Sequence, residues 1–120
     1  YCFHSVEGYS TVGSYTGNGS TDGTFVYTGF RPAWVMTKRR DSTGDWIIWD
    51  AARNEYNVTN NYLEPNTSDA EVAGSGGSIG IDITSNGWKF RSNATVWNAS
   101  GGTYIYLAFA EAPFKYANAR

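Results

Sequence analysis

The chain has 120 residues, 9 Lys and Arg against 11 Asp and Glu, and a formal charge of −2. That is the length of one domain, the balance lacks the basic excess of an electrostatic nucleic-acid binder, and 41% hydrophobic content with 17% aromatics is too apolar for a disordered chain. Two leucines and no glutamine argue against a helical domain, whereas abundant Gly, Ser, Thr and Asn with 5 Trp, 9 Tyr and 6 Phe suit many short strands joined by turns.

Turn signals punctuate the chain at Asn18-Gly19, Asp22-Gly23, Ser42-Thr43-Gly44, Gly76-Gly77, Asn86-Gly87 and Gly101-Gly102. Between them, strands are predicted near 9–16, 24–29, 33–40, 45–50, 61–64, 79–84, 87–92, 94–97 and 103–111. In 33–39, Trp34, Met36 and Lys38 share one face, and Ala33, Val35 and Thr37 the other. Ile79, Ile81 and Ile83 alternate with Gly80 and Asp82 in the manner of a half-buried strand. Asn86-Gly87 then predicts a type I′ hairpin turn, with positive φ at both positions, into Trp88-Lys89-Phe90-Arg91. The segment 103–109 is apolar on both faces and reads as a central strand covered on both sides.

Only Asp50–Glu55 and Asp69–Ala73 have a helical pattern, and both are short. Residues 65–78 read as a long irregular loop. The expected fold is therefore all-β, a two-sheet antiparallel sandwich with little or no helix. Its expected core contains Trp34, Ile48, Ile81, Phe90, Ile105, Leu107 and Phe109. Residues 1–8 read as the end of a preceding module or a linker strand, and 9–120 as a single domain. The start, Tyr1-Cys2-Phe3-His4, has neither the charges nor the apolar stretch of a signal peptide and lacks Met, so a piece of a longer or processed protein is expected.

The residues offer little for catalysis. Cys2 is the one cysteine and His4 the one histidine, which excludes an intrachain disulfide and a thiolate zinc site of the chain's own. No cofactor or metal is expected, and no enzyme activity. Asp41-Ser42-Thr43-Gly44-Asp45 has acidic residues about a turn but lacks the length and terminal Glu of a calcium loop. The glycine runs lack the Lys-Ser/Thr of a phosphate loop. No apolar stretch is long enough for a membrane-spanning helix, and no membrane insertion is expected.

One constellation does suggest binding. Tyr56, Asn60, Asn61, Trp97 and Asn98 fall in segments without clear strand alternation. Sugar sites set an aromatic face against the apolar side of a pyranose and use amide side chains for the hydroxyls. These five residues are the candidate ligand site, with Tyr56 or Trp97 as the stacking ring.

Several segments, in order, resemble a module of tailed-phage tail fibres and related virion adhesins. They are Tyr15-Thr16-Gly17-Asn18-Gly19, Gly29-Phe30-Arg31-Pro32-Ala33-Trp34-Val35-Met36-Thr37-Lys38-Arg39, Trp46-Ile47-Ile48-Trp49-Asp50 and Leu63-Glu64-Pro65-Asn66-Thr67. Ser85-Asn86-Gly87-Trp88-Lys89-Phe90-Arg91 and the run from Asn98 through Glu111 continue the match. The resemblance implies a lectin-like or laminin-G-like jelly roll near the distal end of a fibre, extracellular on the virion. It implies attachment to a bacterial surface glycan or other receptor, and homo-oligomers, trimers before dimers. The alternative is a purely structural fibre or bacterial adhesin module without a ligand of its own.

Overall fold

In the computed structural model, residues 4–51, 59–73 and 80–110 are described. The alternating aromatic and β-branched segments form two antiparallel sheets, the expected all-β sandwich. Four strands make the larger sheet: β1 (Ser10–Thr16), β3 (Pro32–Arg39), β4 (Ile47–Asp50) and β9 (Thr103–Ala110), in the order β1-β9-β3-β4. The smaller sheet is β2 (Phe25–Tyr27), β8 (Gly87–Phe90) and β7 (Ile81–Thr84), in the order β2-β8-β7. A two-strand ribbon pairs β5 (Asn61–Tyr62) with β6 (Val72–Ala73). It joins β4 through an Ile48–Leu63 bridge, and Thr59 just before it bridges Ile81 of β7.

The core is mostly aromatic, because the chain has few aliphatic side chains to fill it. Tyr15, Tyr104 and Tyr106 of the large sheet meet Trp88 and Phe90 of the small one. Tyr15 stacks on Tyr104 at 4.9 Å, and Trp88 meets Tyr106 edge-on at 5.0 Å. Val35, Ile47, Trp49, Ile81 and Ile83 complete the interior. Such ring pairs add about 0.5–1.5 kcal/mol each beyond the area they bury.

This packing corrects the expected core in one respect. Ile81, Phe90 and Leu107 are buried, but Trp34, Ile48 and Phe109 are only half-buried and Ile105 is 39% exposed. In β3 the inward face is Val35 and Thr37, with Trp34, Met36 and Lys38 outward. In β9 the inward set is Tyr104, Tyr106 and Ala108. Alternation establishes that a strand has two faces. It does not say which is inside when both are apolar.

Three further expectations change. Residues 95–98 form one helical turn, α1 (Thr95–Asn98), instead of a strand. Residues 69–73 supply β6 instead of a helix, so 65–78 is not wholly irregular. The β7–β8 turn is Ser85-Asn86, closed by Thr84 opposite Gly87, and no non-glycine residue among those described has positive φ, so it is not type I′. Gly87 is needed inside the strand instead: a Cβ there would lie 2.0 Å from the Val26 carbonyl oxygen of β2. The helical pattern expected over 50–55 lies mostly outside the described residues.

Burial pushes the phenols of Tyr15, Tyr104 and Tyr106 above their ordinary value, Tyr15 furthest. A raised folded-state value means the folded chain holds the proton more tightly. The associated stability is complete below the unfolded phenol value of about 10 and is lost as pH rises through the folded values. A pH titration followed at the phenolate band is expected to show a late group of tyrosines ionising together with loss of near-ultraviolet circular dichroism. Smooth ionisation of all 9 tyrosines with the fold intact would place these rings at the surface.

Candidate binding surface

Of the segments that suggested a sugar site, those holding Tyr62 and Trp97 meet, and they meet in the interior. Trp97 is 3% exposed and wedges between Trp49 at 5.2 Å and Tyr62 at 5.3 Å, both edge-on. Helix α1, which carries Trp97, is held by two tyrosine hydroxyls. Tyr15 donates to the Trp97 carbonyl at 2.9 Å, and Tyr104 donates to the Thr95 carbonyl at 2.7 Å while accepting from the Ala99 amide. These bonds explain why a strand-like tetrapeptide closes into a helical turn: the phenols take up carbonyls that a sheet would otherwise have to pair.

Asn98 is fully buried and ties two loops together. Its Nδ2 donates to the carbonyls of Ser92 and Ser20 and to Asn18 Oδ1, and its Oδ1 accepts from the Asn18 amide at 3.0 Å. Both ends of its amide are thus directed at neighbouring chain. Trp97 and Asn98 therefore offer no open face to a ligand, which corrects the sequence reading of both. Asn60 and Asn61 are half-buried at the start of the ribbon, Asn61 opposite Ala73. Tyr56 lies outside the described residues.

Near this ribbon the loop after β5 is pinned to the approach to β4. Asn66 accepts from the Trp46 amide and donates to Asp45 Oδ1, each at 3.0 Å. Burial raises the Glu64 carboxyl above its usual value, with Asp45 and Asp69 adding to the effect. Among the described residues no three His, Cys, Asp or Glu side chains gather as metal ligands.

Exposed aromatics occur elsewhere, on the outer face of the small sheet. The edge strand β2 turns Val26 inward and leaves Phe25 43% and Tyr27 67% exposed. The strand register sets Phe25 beside Lys89 and Asp82, and Tyr27 beside Gly87 and Thr84. Because Gly87 has no side chain, the Phe25 ring reaches over it; a Cβ there would stand 3.2 Å from Phe25 Cζ. The result is an aromatic shelf along one edge of a rigid sheet.

Charged groups border the shelf in a chain. Lys89 pairs with Asp22 at 2.7 Å, Arg91 lies 3.8 Å from the same Asp22 oxygen, and Arg91 Nε donates to Asp82 Oδ2. Lys89, first by hydrogen bond and then by charge, holds the Asp22 carboxyl below its usual value. The other oxygen of Asp82 is buried and has no partner among the described residues. Two rings set beside a row of charged donors and acceptors have the chemistry to hold a polyhydroxylated ligand. The sequence signal for this surface was the Phe25-Val26-Tyr27 alternation itself, in which two rings share a face opposite one valine.

The sequence matches the model of a family described as a domain of unknown function, DUF7483, over residues 1–113. No curated protein and no solved structure matches the chain.

Proposed function

We propose that this chain, which belongs to the DUF7483 family, is a non-enzymatic adhesion module that holds a bacterial surface glycan on the Phe25–Tyr27 shelf. The observation that carries the reading is the exposure of those two rings on a short edge strand, next to Lys89 and Thr84. A buried aromatic needs no further account, whereas a 67% exposed tyrosine beside an exposed phenylalanine leaves apolar ring surface in water. A pyranose ring has an apolar side to cover them and hydroxyls for the polar neighbours.

The resemblance of several segments to tail-fibre modules supports a setting at the distal part of a virion fibre, facing the host cell. There, many copies would raise a weak single-site affinity by multivalency. The second reading is a structural fibre module without its own ligand. It is favoured by a different observation, the apolar outer face of the large sheet.

A screen of bacterial surface polysaccharides against the isolated domain, with Tyr27→Ala beside it, tests the proposal. Wild type is expected to bind a subset of the glycans. Tyr27→Ala is expected to weaken binding about tenfold, the loss of roughly one stacking contact. Its melting temperature should stay within a few degrees, because the side chain is mostly exposed. Equal binding by the two proteins would remove the shelf from recognition, and no binding by either would favour the structural reading.

A further inference from the structure

The outer face of the large sheet is apolar where a water-facing sheet would be polar. Its cross-strand rows follow from the register. The middle row runs Val12, Leu107, Met36, Ile48. One flanking row is Ser10, Phe109, Trp34, Asp50, and the other is Ser14, Ile105, Lys38. Val12 is 43% and Ile105 39% exposed, and a groove of about 350 Å³ opens between Val12, Met36, Trp46, Ile105 and Leu107. Leu107 between them is only 8% exposed, and Trp34, Met36, Ile48 and Phe109 are half-buried; single exposed apolar residues are ordinary, but two of them flanking an apolar groove make a candidate interaction surface.

From this face we propose that the chain self-associates as a two-fold dimer, the outer faces of two large sheets packed against each other. The charges on the face select the arrangement. Lys38, whose ammonium donates to the Arg39 carbonyl at 2.8 Å, lies at one end and Asp50 at the other, on adjacent strands. A two-fold axis along the middle row sets each apolar middle residue against its own copy. It places Lys38 over Trp34 of the second copy, one strand from that copy's Asp50. The ammonium then meets an indole face and an opposite charge while its stem covers apolar surface.

A parallel three-fold arrangement of the same faces would instead gather three Lys38 ammonium groups about one axis, which is unfavourable away from water. The face thus favours pairs over the trimer implied by the fibre resemblance.

The area is consistent with a reversible pair. The strands β1, β9, β3 and β4 hold 7, 8, 8 and 4 residues; at about 4.8 Å between strands and about 3.3 Å per residue they give roughly 430 Å² per copy. A pair then covers roughly 860 Å², in the range of weak, transient contacts and below that of stable interfaces. Association is therefore expected only toward the upper end of the concentration range tested below. The dimer leaves the shelf free, because Phe25 and Tyr27 belong to the outer face of the other sheet. Its failure and the failure of glycan binding are separately visible.

Sedimentation of the full chain from about 5 to 500 μM, with reductant to prevent a Cys2 disulfide, provides the test. Wild type is expected to shift from monomer to dimer. Ile105→Glu should remain monomeric across the range with its melting temperature nearly unchanged, and should still bind glycan. Lys38→Glu and Asp50→Lys should each weaken the dimer about tenfold, and the double variant should recover most of the loss. A wild type that stays monomeric would overturn the proposal and leave the face to another part of the chain or a different partner. A trimer, or a dimer indifferent to Ile105→Glu, would overturn it equally.

Discussion

Trp97→Ala is expected to lower the unfolding free energy by about 3–5 kcal/mol, the range for removing a fully packed aromatic. The ring fills the space between Trp49 and Tyr62, and so ties α1 to β4 and to the β5–β6 ribbon. Its removal also loosens the turn whose carbonyls Tyr15 and Tyr104 hold. Urea unfolding followed by circular dichroism measures the loss directly. A change below about 1 kcal/mol, with glycan binding abolished, would restore Trp97 to the surface role that its sequence context suggested. The Trp97 Nε1 has no acceptor among the described residues, so Trp97→Phe should cost much less than Trp97→Ala.

Gly87→Val is the second substitution with a large expected effect. Even the first carbon of a side chain would stand 2.0 Å from the Val26 carbonyl oxygen, a backbone atom of the adjacent strand. Strand β2 must therefore move away from β8. That breaks the Phe25–Lys89 and Tyr27–Gly87 register and withdraws Val26 from the core. The cost is expected to be about 3 kcal/mol or more, with loss of glycan binding because β2 carries both shelf rings. Gly44→Ala serves as a control, since its new Cβ would meet Arg39 Cβ at an ordinary 3.5 Å. If Gly87→Val unfolds at the wild-type urea midpoint, β2 is not fixed as described.

How much of this was legible in the sequence depends on what each residue's role requires. The strands β1, β3 and β7 were readable because period-two alternation survives along them, and β9 from its unbroken apolar run. Ile81, Ile83, Trp88 and Phe90 point inward as their spacing implies. The inner face of β3 was not readable, because Val35 and Thr37 compete with the larger Trp34 and Met36. Size favours the wrong set, and only the docking of the small sheet decides between them.

The misreading of Trp97 and Asn98 has a similar origin. Both sit among Asn, Ser and Ala in a segment without alternation, which is the composition of an exposed loop. Much of what buries them is remote: the Tyr15 hydroxyl for the helical turn, and the Asn18–Ser20 loop for the amide. Contacts spanning about 80 positions leave no local trace. Gly87 shows the same limit: the Asn-Gly pair signalled a turn, but the turn is Ser85-Asn86 and the glycine serves the neighbouring strand.

Recognition is proposed to reside on the exposed edge of the small sheet and not at the end where Trp97 lies. Nuclear magnetic resonance of the isotope-labelled domain, titrated with the best glycan from the polysaccharide screen, tests it most directly. The perturbed amides are expected to map to β2 and β8, centred on Phe25, Tyr27 and Lys89, with the β5–β6 ribbon and α1 unmoved. Perturbations centred on Asn60, Asn61 and Trp97, with β2 silent, would contradict it.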